Sequence, residues 1–486
     1  MRKSLLSILF ASLFVHSQAQ VTFQDAYDQF KQQAKGEYEN FRDEANRVYA
    51  EFMRQAWEEH QVVPAIPRPK EEEVPPVVIP DDDLLKPIES TPIKIEEEVI
   101  EVPTVDPQPL PVEPIRELPT VTEEKVSFTL YGTSMQVRFG KQQAFKLNGS
   151  TPDAVADGWE KLSKRNYDNL IRDCLELRIT MQLSDWAYLK MLDKMAQACV
   201  GGGNEATLLM AYVYCQSGYK MRLGMDGTRL RMLYASKHSI YDKDCFMLSG
   251  EGFYLYGADA NRVTICEATF PKEKPLSLWI PQAMKLADRR SDVRTLTSMR
   301  YPDMQMQVSV NRNMIDFMND YPTSMSGGNY MTRWAMYANT PMEERLKGEL
   351  LPKFKEKLKG LGQKEAVERL LNWVQTAFVY EYDDKVWGGD RTFFAEESLY
   401  YPYCDCEDRS ILFTRLVRDL LGLKCILIYY PGHLASAVQF TESVQGDYIQ
   451  LNGKRFVVCD PTYIGAPIGC TMSGMDNATA TVILLE

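Results

Sequence analysis

Histidine is scarce in this 486-residue chain, with four in all: His16, His60, His238 and His433. A reaction that needs an imidazole base therefore has few places to be. Basic residues are in the minority, 55 against 67 acidic for a net charge of −12, and no basic face is visible to neutralise phosphates. That excludes a nucleic-acid partner. After the first twenty residues no apolar run is long enough to span a bilayer, which takes about 20 residues. Paired metal-ligand spacings are missing too. The tightest pair, Cys404-Asp405-Cys406, is too close for a structural zinc knuckle and has no companion cluster. The sequence thus implies no metal and no cofactor.

The chain divides by composition. Residues 1–19 have the layout of a signal peptide: Arg2 and Lys3, an apolar Leu5 to Val15, then small Ser17 and Ala19. Cleavage after Ala19 would export the protein to the periplasm or the extracellular space, with an uncleaved anchor as the alternative. Residues 20–62 repeat apolar side chains at helical spacing (Phe23, Tyr27, Phe30, Ala34, Phe41, Ala45, Val48, Phe52). This predicts one amphipathic helix, which either docks on the body or self-associates. Residues 63–124 change character. Positions 64–119 hold 14 of the 26 prolines, no glycine, and 14 acidic against 5 basic residues. Proline and like-charge repulsion predict a stiff, extended linker of on the order of 100 Å. Residues 125–335 alternate between strand-like runs (128–139, 304–317) and helical ones (155–198, 204–218), a mixed α+β region. Residues 336–486 run helix, loop, helix and then several strands, again α+β.

Ten cysteines fall in the mature region. An exported protein can form disulfides, but runs such as Lys424 to Tyr430 place cysteine among apolar neighbours, where it acts as core filler. Cys406 differs. It stands in Asp405-Cys406-Glu407-Asp408-Arg409, ahead of an apolar helical run from Ile411 that stops at Gly422. Asp405 is placed as N-cap and Cys406 at the helix start, where unpaired N–H groups and the positive dipole end favour a thiolate and can receive an oxyanion. The flanking carboxylates oppose that shift, so an imidazole has to supply much of the activation. His433 lies 27 residues downstream, at the head of an alternating strand, and Asp460 another 27 beyond. Neighbouring strands can bring the two together, giving nucleophile, base and orienting carboxylate. Cys404, two residues before Cys406, is a competing thiol.

Asp405 to Arg409 opening a helix, Gly432-His433, and Asp460-Pro461-Thr462-Tyr463 resemble the three motifs of transglutaminase-like domains. The Trp373 helix and Phe378-Val379-Tyr380 are similar to that family's lead-in. The resemblance covers about residues 345–486. It implies a papain-like fold with Cys406 as nucleophile, His433 as base and Asp460 as its partner, acting on a protein or peptide substrate. Two rivals remain open: a binding or scaffold protein keeping the fold without activity, and an amine-transferring enzyme. Hydrolysis is favoured over transfer because nothing marks an amine-acceptor site. Residues 204–256 echo the same plan, a helix from Asn204, a glycine stop and a basic-apolar strand, with His238 following. This suggests a degenerate duplicate with Asn204 in the nucleophile's place.

Overall fold

The computed structural model describes residues 41–70, 74–84, 86, 88–93, 99–101, 107–119 and 124–486. The expected signal segment and the first half of the expected amino-terminal helix lie outside them. Helix α1 (Phe41–Met53) is the described part of that helix. It presents a different face from the one the pattern suggested. Arg42, Ala45, Asn46, Tyr49, Ala50 and Met53 are buried, while Phe52 is exposed. The polar members of this face are held by partners. The Arg42 guanidinium pairs with the buried Asp168 at 2.5 Å. The Asn46 carboxamide exchanges hydrogen bonds with Gln216 and accepts one from the Trp159 indole N–H at 3.0 Å.

The helix does not continue to residue 62. Strand β1 (Trp57–Gln61) follows and adds to a sheet edge, so His60 sits on a strand. Nor does the segment after it stand away from the body. Pro92–Ile93 (β2) and Val99–Ile100 (β3) pair with the carboxy-terminal sheet, and Ile115 is buried. Proline and like charge disfavour a core within this stretch. Its short extended pieces instead complete hydrogen bonding along another sheet's open edges.

Strands β4 (Lys125–Leu130) and β5 (Thr133–Arg138) form a hairpin, followed by helices at Pro152–Leu162 and Asp168–Thr180. Helix α2 (Asp185–Val200) and helix α3 (Asn204–Gln216) come next, joined by the Gly201–Gly203 loop. Strands β6 (Met221–Asp226), β7 (Arg229–Ala235), β8 (Cys245–Leu248), β9 (Glu251–Leu255) and β10 (Arg262–Cys266) then make an antiparallel sheet with order β1-β10-β6-β7-β9-β8. A second hairpin, β11 (Arg294–Thr297) and β12 (Gln305–Val308), opens the second half. The strand-like stretch to Phe317 is only half strand, because Asn311 caps a helix over Arg312–Asp320.

Helix α4 (Thr332–Asn339), a helix over Glu344–Lys357, and helix α5 (Gln363–Thr376) lead to helix α6 (Cys406–Leu421). After α6 come β13 (Cys425–Tyr430), β14 (His433–Val438), β15 (Tyr448–Leu451), β16 (Lys454–Cys459) and β17 (Thr481–Leu484), in the order β2-β15-β16-β14-β13-β17-β3. The protein is α+β throughout. The two sheets share one strand order: β10-β6-β7-β9-β8 corresponds to β17-β13-β14-β16-β15, every pairing antiparallel, with a helix before each first hairpin. A single apolar cluster runs from Ala45 to Ile483 across both halves. The opposite face of each sheet has its own smaller cluster. Among the described residues no helix is long and apolar enough to cross a membrane.

Candidate active site

Helix α6 places Cys406 at its first turn, as the sequence predicts. Asp405 precedes it in extended conformation, and Gly422 ends the helix at φ 64°, the left-handed conformation that glycine adopts without penalty. The start is fastened by Asp408, whose carboxylate accepts from the Phe393 N–H at 2.7 Å and the Asp405 N–H at 3.4 Å. Asp405 itself is buried, and neither carboxylate oxygen has a hydrogen-bond partner among the described residues. Burial, then Glu407 and Asp408, push the Asp405 carboxyl well up. Burial, then Asp383 and Glu407, do the same to Asp408. Both groups are therefore held toward the neutral form, and they oppose a thiolate less than the three acidic residues around the cysteine imply.

His433 begins β14. The Tyr430–His433 pair closes a two-residue turn in which Gly432 has φ 78°, a left-handed position suited to glycine after Pro431. Asp460 directly follows β16, which pairs with β14 through Ser436 and Cys459. This register puts His433 Nε2 at 2.9 Å from Asp460 Oδ2, both side chains buried. Asp460 Oδ1 accepts from the N–H groups of Thr462 and Tyr463 at 2.8 and 3.2 Å, which fixes the carboxylate. The Ser410 hydroxyl donates to the Leu434 carbonyl at 2.7 Å and ties the cysteine helix to the histidine strand. The second ring nitrogen, Nδ1, is buried with no hydrogen-bond partner among the described residues. Cys406 and His433 line the same cleft. The Cys406 thiol lies 3.3 Å from Glu407 Oε2 and donates to it.

All three residues singled out from sequence thus fall at one locus, with His433 and Asp460 in direct contact. Cys404 is excluded from the role of competitor. It is buried, does not line the cleft, and burial pushes its thiol up to about 11. The other described histidines are elsewhere. His60 faces Glu267 at 3.0 Å, and burial, then Lys237, hold His238 down to about 4. No two of the ten cysteines are joined in a disulfide.

The cleft also has walls that no sequence pattern announced. Arg333 and Trp334 come from α4, 72 and more residues before the cysteine, and Tyr429 from β13. Trp334 stacks on Tyr429 with ring centroids 5.3 Å apart, and its indole N–H is buried without an acceptor. Arg333 grips Asp390 with two hydrogen bonds of 2.5 and 3.0 Å. Burial nonetheless raises the Asp390 carboxyl to about 6. Gln375, in helix α5, is buried. Its carboxamide donates to the carbonyls of Asp460, Tyr463 and Ala466 and accepts from the Gly465 N–H, so it positions the loop that carries Asp460. The Arg409 guanidinium in turn donates to the Gln375 and Phe378 carbonyls.

Carboxylate oxygens of Asp383, Asp405 and Asp408, and of Asp383, Asp390 and Glu407, come within 4.8 Å of one another. These residues are of the type that holds a hard cation. Shared protons satisfy such a buried acidic cluster as well, in line with the raised carboxyls of Asp405, Asp408 and Asp390. Compared with family models, curated proteins and solved structures, the chain matches none.

Proposed function

We propose that the protein is a thiol enzyme of transglutaminase-like type that opens a peptide or side-chain amide through an acyl-cysteine intermediate. The observation that carries this reading is the His433–Asp460 contact at 2.9 Å, made through Nε2, with Nδ1 left unpartnered beside the cleft that Cys406 lines. A carboxylate on one ring nitrogen selects the tautomer and stabilises the imidazolium, so the other nitrogen is the one that exchanges a proton with the thiol.

In the reaction, the Cys406 thiolate attacks the amide carbon while the proton taken from the thiol rests on His433. Collapse of the tetrahedral intermediate breaks the C–N bond, and His433 returns that proton to the departing amine. Water then attacks the thioester, again losing a proton to His433, and carboxylate and free thiol are restored. Backbone N–H groups at the start of α6 are donors for the developing oxyanion, and the Trp334 indole N–H is a second candidate because it has no acceptor among the described residues. On this reading the protein acts outside the cytoplasm, and hydrolysis prevails because water needs no binding site. An amine competing for the same thioester would give transfer instead.

The test is an electrophilic glutamine-peptide probe followed by peptide mapping. One adduct per chain is expected on Cys406, absent in Cys406→Ala and strongly reduced in His433→Ala. Labelling spread over several cysteines, or indifferent to His433, would point to the alternative, a scaffold that keeps the arrangement without the activity.

A further inference from the structure

Five carboxylates gather around the start of α6. Oxygens of Asp383, Asp405 and Asp408 lie within 4.8 Å of one another, and so do oxygens of Asp383, Asp390 and Glu407. The two groups share Asp383 but differ in what answers their charge. In the second, the Arg333 guanidinium grips Asp390 at 2.5 and 3.0 Å, and Asp390 and Glu407 line the cleft. In the first, Asp383, Asp405 and Asp408 are all buried. The groups that face Asp405 are Glu407, Asp408, Asp383 and Cys406, with no cation among them.

Asp405 supplies a second, separate observation. Its side chain is 1% exposed, and neither oxygen has a hydrogen-bond partner among the described residues. The other two acids are better held. Asp408 accepts from the Phe393 and Asp405 N–H groups, and Asp383 accepts from the Arg391 N–H at 2.5 Å. A buried carboxylate that nothing answers is strongly unfavourable. One shared proton would answer one of its oxygens. A cation answers both, together with the charge of the two neighbours.

We propose that Asp383, Asp405 and Asp408 bind one divalent cation of calcium type, which fastens the 383–393 loop to the start of α6. The loop is already drawn in at two points, since Asp383 holds Arg391 and Asp408 holds Phe393. No local spacing announces the site, because 22 positions separate Asp383 from Asp405. The donor atoms are all carboxylate oxygens, the ligand type of hard cations. Oxygens that share a calcium ion at about 2.3–2.6 Å can stand up to about 5 Å apart, a span that takes in this group. Magnesium, at about 2.0–2.1 Å, needs them within about 4 Å and gives up its waters reluctantly, so three buried acids suit calcium better. Asp390 and Glu407, on the cleft side of the shared Asp383, mark the way in. The site does not depend on whether Cys406 reacts, so it stands or falls apart from the thiol-enzyme reading.

The experiment takes the full chain, stripped with a chelator, and follows equilibrium dialysis and thermal unfolding with calcium chloride as the probe. One calcium per chain is expected, with an unfolding midpoint that climbs with calcium concentration, as for any ligand of the folded state. Asp405→Asn removes a buried, unanswered charge. It should therefore unfold no earlier than the chelated wild type, yet bind calcium at least tenfold more weakly. Asp383→Asn carries the same expectation for binding and stands in if the Asp405 variant does not fold. Glu407→Gln, in the neighbouring group, should weaken binding by a smaller factor. Magnesium chloride should need at least tenfold higher concentration for the same midpoint. A wild-type midpoint indifferent to calcium would overturn the site and leave shared protons to answer the cluster's charge. So would equal calcium binding by the wild type and both Asn variants, as exposed acids such as Asp81 and Asp82 would give.

Discussion

Two sheets in this protein have the same strand order, and among the described residues one of them brings a cysteine, a histidine and an aspartate to one locus. The comparison can be made position by position. The hairpin β13–β14 closes on the Tyr430–His433 pair, and β6–β7 closes on Asp226–Arg229, so Arg229 stands where His433 does. Five residues on, Val438 faces Val457 and Tyr234 faces Tyr254, which places Gly257 at the position of Asp460. The helices before the hairpins begin at Cys406 and Asn204. The positions of Cys406, His433 and Asp460 are taken by Asn204, Arg229 and Gly257. The Asn204 carboxamide instead donates to the Thr228 carbonyl and accepts from the Leu230 N–H, at 2.9 and 2.8 Å, locking the turn that the other half leaves open to its cleft. In the first half these positions serve the fold.

The halves also differ in how they bury acid. In the first, Asp168 is paired with Arg42 and Glu273 with Arg222, at 2.5 and 2.8 Å. Around α6, Asp405 and Asp408 have no such cation and are raised well above the ordinary carboxylate range, while Glu396 is raised to about 8.

Substitutions that separate the halves should have effects of very different size. Cys406→Ala is expected to abolish probe turnover, whereas Asn204→Cys should create no second reactive thiol, since Arg229 and Gly257 supply neither base nor carboxylate. Mapping the labelled cysteine in each variant checks both. Asp460→Asn keeps the shape but favours the wrong tautomer, and a loss on the order of 10³-fold or more in turnover is expected. In the first half, Arg42→Ala removes the 2.5 Å partner of the buried Asp168 carboxylate and leaves it the longer 3.7 Å contact to Arg165. Denaturant unfolding should show a loss of about 3–5 kcal/mol, with turnover per folded molecule nearly unchanged.

The acid difference gives a pH test. Burial, with Glu343 and Glu397 adding to it, raises Glu396 to about 8 from an ordinary 4.5, despite the hydrogen bond it accepts from the Glu343 N–H. In the folded chain it keeps its proton up to about pH 8, whereas the unfolded chain releases it above about pH 4.5. The folded state binds more protons across that window, so stability falls as pH rises through it and levels off above. Glu396→Gln should flatten this part of the profile, by on the order of a few kcal/mol at most at pH 8. An unchanged slope would mean that Glu396 finds compensation in its ionised form.

Much of the site could be read from the chain because its signals are local. An acidic N-cap before Cys406, a glycine stop at Gly422 and a Pro431-Gly432 turn before His433 each dictate backbone geometry within a few residues. Other features depend on which surfaces meet. Trp57 to Gln61 continue a helical pattern in sequence, yet the free edge of β10 draws them into a strand. The proline-rich segment cannot fold alone, but it adds short strands to the second sheet. Arg333 and Trp334 reach the cleft from a helix that sequence marks only as apolar. Gln375 looks like any helical glutamine until its four partners in and beyond the Asp460 loop are known.

The central claim is that Cys406 is activated by His433, and the rate of Cys406 alkylation by iodoacetamide as a function of pH tests it most directly. In the wild type the rate should reach its plateau well below pH 8. In His433→Ala it should fall at neutral pH and rise only toward the range of an ordinary thiol, near 8.5. Coincident profiles in the two proteins, with the rate still climbing above pH 8 in both, would contradict the account.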